Sequence, residues 1–174
     1  SHICEKLIKK KVKVIVFDKK QPYQKDVDYI NGDILNKQEV NKAIKNVDCV
    51  FHCAALSDID EVIEKPLKSA EINIIGTINI LEAMKKNKTK KIIYASTIYN
   101  YGDNGSFYRC SKVAAESYIQ EYYRTNKINY TIIRYGSLYG PRCQENNGLY
   151  KIVKKALIEK KLEYDGSRET LREY

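Results

Sequence analysis

The sequence predicts an α/β protein built on a doubly wound parallel sheet, and three observations predict it. β-Branched apolar runs of strand length recur along the chain, segments with helical apolar spacing separate them, and no linker, repeat or low-complexity tract breaks the alternation. Strands alternating with helices pair in parallel through right-handed crossovers. At 174 residues and 43% apolar, the chain suffices for one domain with a core and is short for two.

The elements follow in order. "SHICEKLIKK" (1–10) places Ile3, Leu7 and Ile8 at helical spacing, and "VKVIVFD" (12–18) is a strand ending in an acid. "VDYING" (27–32) reads as a short strand. "NKQEVNKAIKN" (36–46) reads as a helix with Asn36 as its cap and Glu39 in the capping-box position. "DCVFHCAA" (48–55) is a buried strand, in which Cys49 and Cys53 are packing residues. Residues 66–87 form a long helix opened by Pro66, and "KKIIYAS" (90–96) is a second buried strand. Residues 106–126 form a helix, "INYTIIR" (128–134) a strand and "LYKIVKKALIEKK" (149–161) a helix.

Composition narrows the function classes. The formal charge of +9 raises a polyanion as partner, but the lysines are scattered at element ends and outnumber the arginines 25 to 6. No basic stripe with interleaved aromatics appears, so the charges read as solvated faces and no nucleic-acid partner is expected. No run reaches the length of a membrane span, and the first 20 residues lack a signal-peptide core. Five cysteines without C-x-x-C spacing and two histidines do not make a structural zinc site; free thiols in a cytoplasmic protein fit best.

Ligands of such a fold sit beyond the carboxyl ends of the strands, and polar or small residues recur there. The first strand ends at Asp18, the second at Gly32, Asp33 and Ile34, the third in Ala54 and Ala55, the next in Ser96 and Thr97, and the last in "RYGSLYGPR" (134–142). The following helix carries Tyr108 four residues before Lys112. With 15 tyrosines and 25 lysines, chance alone supplies about two Tyr-x-x-x-Lys matches. Three exist, the others being Tyr123 to Lys127 and Tyr150 to Lys154. The spacing of Tyr108 and Lys112 therefore needs its surroundings to give it meaning.

Those surroundings form an ordered set: "VFD" (16–18), "GDI" (32–34), "FHCAA" (51–55), "NIIGT" (73–77), "YAST" (94–97), "YRCSK" (108–112), "RYGSLYGPR" (134–142) and "REY" (172–174). Together they resemble the extended short-chain dehydrogenase/reductase family, and within it the NAD-dependent nucleotide-sugar epimerases and dehydratases typified by UDP-glucose 4-epimerase. The resemblance implies a Rossmann-like NAD-binding domain over residues 1–174, with the start of a substrate-binding region from about 143. It implies Thr97, Tyr108 and Lys112 as catalytic residues. Tyr108 would take a hydroxyl proton, Lys112 would lower the phenol's pKa and hold the nicotinamide ribose, and Thr97 would bond the reacting sugar oxygen. Asp18, Asp33, Ile34, Ala54, Ala55 and Lys112 would hold NAD, with Asp18 disfavouring the 2′-phosphate of NADP. Ser137 and Arg172 would contact the nucleotide sugar. Asn73 is open between a ligand role and one in bonding neighbouring loops. Helices 66–87 and 106–126 are the implied homodimer face.

The departures also shape the expectation. The eight glycines form no G-x-x-G-x-x-G turn, and the strand that leads into that turn in the family is missing, so the chain reads as part of a longer protein truncated at both ends. Ile98 and Tyr99 stand where the 4,6-dehydratases carry Asp and Glu, and Ser137 stands where asparagine is usual. Epimerisation of a nucleotide sugar through a keto intermediate is the reading this favours. A keto-sugar reductase or dehydratase of the same family, and from another class a non-catalytic dinucleotide-binding module or inactive fragment, are the alternatives.

Overall fold

The structure, a computed structural model, describes residues 1–143, 145 and 147–162. It divides into two compact units, Ser1–Ile133 and Arg134–Tyr174.

In the first unit, helix α1 (His2–Lys9) leads to strand β1 (Ile15–Asp18), which pairs in parallel with β2 (Asp28–Asn31) so that Ile15 faces Asp28 and Asp18 faces Asn31. Helix α2 (Lys37–Ala43) starts at Asn36, whose side chain accepts from the N–H groups of Gln38 and Glu39. Glu39 does not return the reciprocal bond of a capping box. Its carboxylate takes the Asp33 N–H at 2.9 Å and the Asn36 side-chain amide at 2.8 Å, because the Asn36 N–H is already held by the Asp33 carbonyl.

Strand β3 (Cys49–His52) pairs in parallel with β4 (Lys91–Thr97), from Cys49 opposite Lys91 to His52 opposite Tyr94, and β5 (Asn129–Tyr135) lies on the other side of β4. The expected parallel α/β architecture is present. Among the described residues it is formed as two sheets, β1-β2 and β3-β4-β5, with β1 and β3 each at an edge. At such an edge β3 is less covered than the sequence suggests: Phe51 is 38% exposed, Cys53 is exposed, and only His52 of the strand is buried. A fully buried β3 and a buried Cys53 are thus corrected, since a strand with one neighbour leaves one side open.

Between β3 and β4, helix α3 (Ile59–Glu64), absent from the sequence reading, is capped by Asp58. The long helix then opens with Pro66 as expected, but in three parts: α4 (Pro66–Ala70), a π-helical segment (Glu71–Ile75) and α5 (Gly76–Asn87). Thr77, Ile80, Leu81 and Met84 make the buried face of α5, spaced three and four apart. Gly76 lets α5 come close to the chain leaving β2, because a Cβ there would lie 2.5 Å from Ile34 Cδ1. After β4, a 3₁₀ turn (Ile98–Tyr101) leads to Gly105, whose φ of +99° starts helix α6 (Ser106–Asn126). The core runs from Ile34, Val40 and Ile44 through Leu81, Met84, Ile92 and Tyr94 to Ala115 and Ile119, joining α2, α5, β4 and α6.

The second unit contains helix α7 (Gly148–Glu159), capped by Asn147, whose carboxamide oxygen accepts the Tyr150 N–H at 3.0 Å while its amide donates to the Leu138 carbonyl at 2.7 Å. Ser137 is half-buried in the extended stretch preceding it, and Arg172 lies outside the described residues.

Candidate functional site

Parallel pairing gathers the carboxyl ends of β1 and β2, and likewise those of β3 and β4. Asp18 ends β1 exposed, its Oδ1 accepting the Lys20 N–H at 2.9 Å. Beyond β2, Asp33 Oδ2 pairs with Lys19 Nζ at 2.6 Å and Oδ1 accepts the Leu35 N–H at 3.0 Å. Burial pulls the Asp33 carboxyl up, but the Leu35 N–H and the Lys19 ammonium together outweigh it and leave it below its ordinary range. Ile34 turns its side chain into the core, while its carbonyl accepts from Asn79 at 2.9 Å. Ala54 is exposed and Ala55 half-buried where the chain leaves β3.

Thr97 ends β4 and is buried, its hydroxyl oxygen accepting the Tyr99 N–H at 3.2 Å. Tyr108 and Lys112 lie one turn apart on α6, with Lys112 Nζ 5.7 Å from the Tyr108 ring centroid and 4.5 Å from that of Tyr94. The ammonium donates to the Ala95 carbonyl at 2.7 Å, two residues before Thr97. Lys112 is 2% exposed, and this separates it from the other two matches: Lys127 caps the end of α6, and Lys154 Nζ lies 5.8 Å from the ring of Tyr150, an exposed residue. A lysine is almost never fully buried without a specific reason.

Burial drives the Lys112 ammonium down to about 8, while Cys53 and Glu116 oppose that fall. The Tyr108 phenol is pushed up by burial, with Tyr99 adding in the same direction. The lowered phenol is expected of Lys112 and an oxidised nicotinamide ring acting together, and the chain alone holds only the first of these. The Lys112 charge lies beside the ring and is directed at Ala95.

A polar network surrounds these groups, of which the sequence reading singled out Asn73 alone. Asn73, buried in the π segment, accepts the Leu56 N–H at 2.7 Å and donates to the Leu56 carbonyl at 2.9 Å and to Ser111 Oγ at 2.9 Å. Asn73 thus bonds the loop after β3 to α6, the second of its two sequence-level roles. Thr77 donates its hydroxyl proton to the Asn73 carbonyl, so His52 Nε2, 2.9 Å from Thr77 Oγ1, carries a proton and donates. Burial, then the Lys112 charge, hold His52 neutral down to about pH 3. Glu116, one turn beyond Lys112, accepts from Ser96 Oγ at 2.5 Å and Asn100 Nδ2 at 2.7 Å. The four-residue step from Lys112 was the available signal for Glu116, but a glutamate on a helix reads by default as solvated.

The residues present suit the two nucleoside ends of a dinucleotide. An exposed carboxylate at the end of β1 is able to accept from ribose hydroxyls, alanines after β3 leave room for close approach, and an ammonium has three donors where Ala95 takes one. No cluster of histidine, cysteine or carboxylate that could hold a metal occurs among the described residues, and no helix there is long and apolar enough to cross a membrane.

Known proteins agree with this architecture. The sequence model of the NAD dependent epimerase/dehydratase family matches residues 1–174. A putative UDP-glucose 4-epimerase of Methanocaldococcus jannaschii is 36% identical over 162 residues, covering 82% of this chain and 53% of the relative. A dTDP-D-glucose 4,6-dehydratase of Dictyostelium discoideum is 29% identical over 172 residues, 84% of this chain and 40% of its own. The chain thus spans about half or less of the length of these relatives. Among solved structures, the Thermus thermophilus UDP-glucose 4-epimerase in complex with NAD superposes with a TM-score of 0.79 at 28% identity, over 89% of this chain and 57% of that one.

Proposed function

The chain belongs to the NAD-dependent epimerase/dehydratase family, and from that premise we propose that its protein epimerises a nucleotide sugar through a transient keto sugar. The observation that carries this reading is the buried Lys112 packed one turn from Tyr108 on α6 and tied to β4 two residues before Thr97. Tyr108 takes the proton of the sugar hydroxyl being oxidised and returns it when the ketone is reduced. Thr97 donates a hydrogen bond to the same oxygen, and Lys112 holds the nicotinamide ribose with the donors Ala95 does not use. The bound dinucleotide supplies the hydride acceptor that later becomes the donor, so the cycle is redox-neutral. Asp18 accepts from the adenosine ribose and repels a 2′-phosphate, which makes NAD the cofactor of choice over NADP. Asp33 and Ile34 line the adenine, Ala54 and Ala55 the dinucleotide path, and Ser137 and Arg172 the nucleotide sugar.

Dehydration is disfavoured because no carboxylic acid stands at residues 98 and 99, and elimination needs an acid to protonate the departing hydroxide. The names of the relatives make UDP-hexoses the first substrates to test. The full-length protein incubated with UDP-glucose and NAD should form the C4 epimer without net NADH, followed by proton NMR of the anomeric signals. Tyr108→Phe should slow this by about 10²- to 10⁴-fold while NADH still binds. Turnover near the wild-type rate in that variant would remove Tyr108 from the mechanism, and stoichiometric NADH consumption when a nucleotide-linked keto sugar and NADH are supplied instead would make the protein a reductase.

A further inference from the structure

Glu116 is 5% exposed, and its carboxylate oxygen Oε1 receives both Ser96 Oγ and Asn100 Nδ2. Asn100 Nδ2 also reaches Ser96 Oγ at 3.2 Å, which closes a triangle. Ser96 immediately precedes Thr97, and Asn100 lies in the 3₁₀ turn that follows it. The two donors therefore bracket Thr97, and the acceptor belongs to α6, the helix that carries Tyr108 and Lys112. Tyr108, Lys112 and Glu116 are four residues apart in succession and share one face. Two hydroxyl or amide donors could be satisfied by a neutral glutamine, whereas a buried carboxylate costs several kcal/mol unless a cation compensates it. Lys112, one turn away on the same face and itself buried, is a cation whose charged form Glu116 favours.

We propose that Glu116 is a positioning residue of the reaction: it clamps the Thr97 turn to α6 and supplies the fixed counter-charge of Lys112. The proposal rests on the reading of Thr97, Tyr108 and Lys112 as the reacting set. The groups that face Lys112 are Cys53 and His52 from the β3 end, Tyr94 from β4, and Tyr108 and Glu116 from α6. His52 is neutral at working pH and the Cys53 thiol is raised, which leaves Glu116 as the carboxyl group of this set.

The two roles separate experimentally in the full-length protein. Glu116→Gln keeps an acceptor for Ser96 and Asn100 and removes the charge. The Lys112 titration, followed by NMR of [ε-13C]lysine and assigned with Lys112→Arg, should move to lower pH by about one unit, and the alkaline limb of NADH binding should move with it. Asn100→Ala opens the clamp and leaves the charge; kcat should fall about tenfold or more with the alkaline limb unmoved. A wild-type Lys112 titration in Glu116→Gln would overturn the counter-charge role, and a wild-type kcat in Asn100→Ala would overturn the clamp. Should Glu116→Gln fail to fold, Asn100→Ala and Ser96→Ala still decide the clamp by the same kcat criterion. Absence of any nucleotide-sugar turnover in the wild type would count against the proposed function, while the lysine titration would still report on the Glu116–Lys112 coupling.

Discussion

Acid should destabilise this protein through one imidazole, well above the range in which carboxylates protonate. His52 is 2% exposed, its ring centroid 5.3 Å from that of Tyr94 with the planes tilted by 48°, and bonded to Thr77, and burial with the Lys112 charge lowers it from 6.5 to about 3. The folded state thus refuses a proton that the unfolded chain accepts near pH 6.5. Between those values the unfolded state binds more protons, so stability falls as pH falls, beginning near 6.5 and levelling below 3. The full loss is about 5 kcal/mol, of which about 2 kcal/mol is reached by pH 5. Urea unfolding of the full-length protein at pH 7.5 and pH 5.0 measures it. His52→Gln keeps a donor near Thr77 and cannot titrate, so its stability should be lower at pH 7.5 but lose about 2 kcal/mol less between the two pH values. An equal pH dependence in wild type and variant would refute the assignment of the acid sensitivity to His52.

Two substitutions probe the support of the candidate site. Asn73→Leu preserves volume but strips the Leu56 N–H and carbonyl of their partner; a loss of about 3 kcal/mol is expected in thermal or urea unfolding, and a loss below about 1 kcal/mol would show that the loop after β3 does not depend on it. Gly76→Ala places a methyl 2.5 Å from Ile34 Cδ1, and the overpacking should outweigh the helix propensity gained, for a net cost of about 1 kcal/mol that shrinks in an Ile34→Val background. Additive costs in the double variant would mean that the two residues do not press on each other.

Much of this was legible in the sequence because the strands and helices differ in apolar period. All five strands lie within the runs expected, save that the last residues of β4 and β5 extend one beyond them, and α6 spans the predicted 106–126. The motif residues at the strand ends were legible by the same route, since parallel strands carry them to a common end. The missed elements have local causes. Helix α3 is six residues long, too short for a period to show, and the π segment keeps the apolar pattern of the helix containing it. Glu116 was missed because its burial comes from Ser96 and Asn100 on another element, which no local pattern encodes. For a related reason the spacing that places a lysine one turn from Tyr108 does not reveal the desolvation of the phenol, which depends on every neighbour packed around it.

The π segment also bears on which insertions and deletions this helix can absorb. A π turn holds a residue more than the α turn it replaces, so Glu71–Ile75 carries surplus chain within an otherwise regular helix. Removing one residue there would restore regular hydrogen bonding with α4 and α5 near their present phase, yet it would shift the residues of the segment itself. Asn73, buried within the segment now, could not then keep its place between Ser69 and Thr77. The deletion that regularises the backbone is therefore one that would release the loop after β3 from α6, and the irregular turn marks where the length of this helix is fixed by its neighbours.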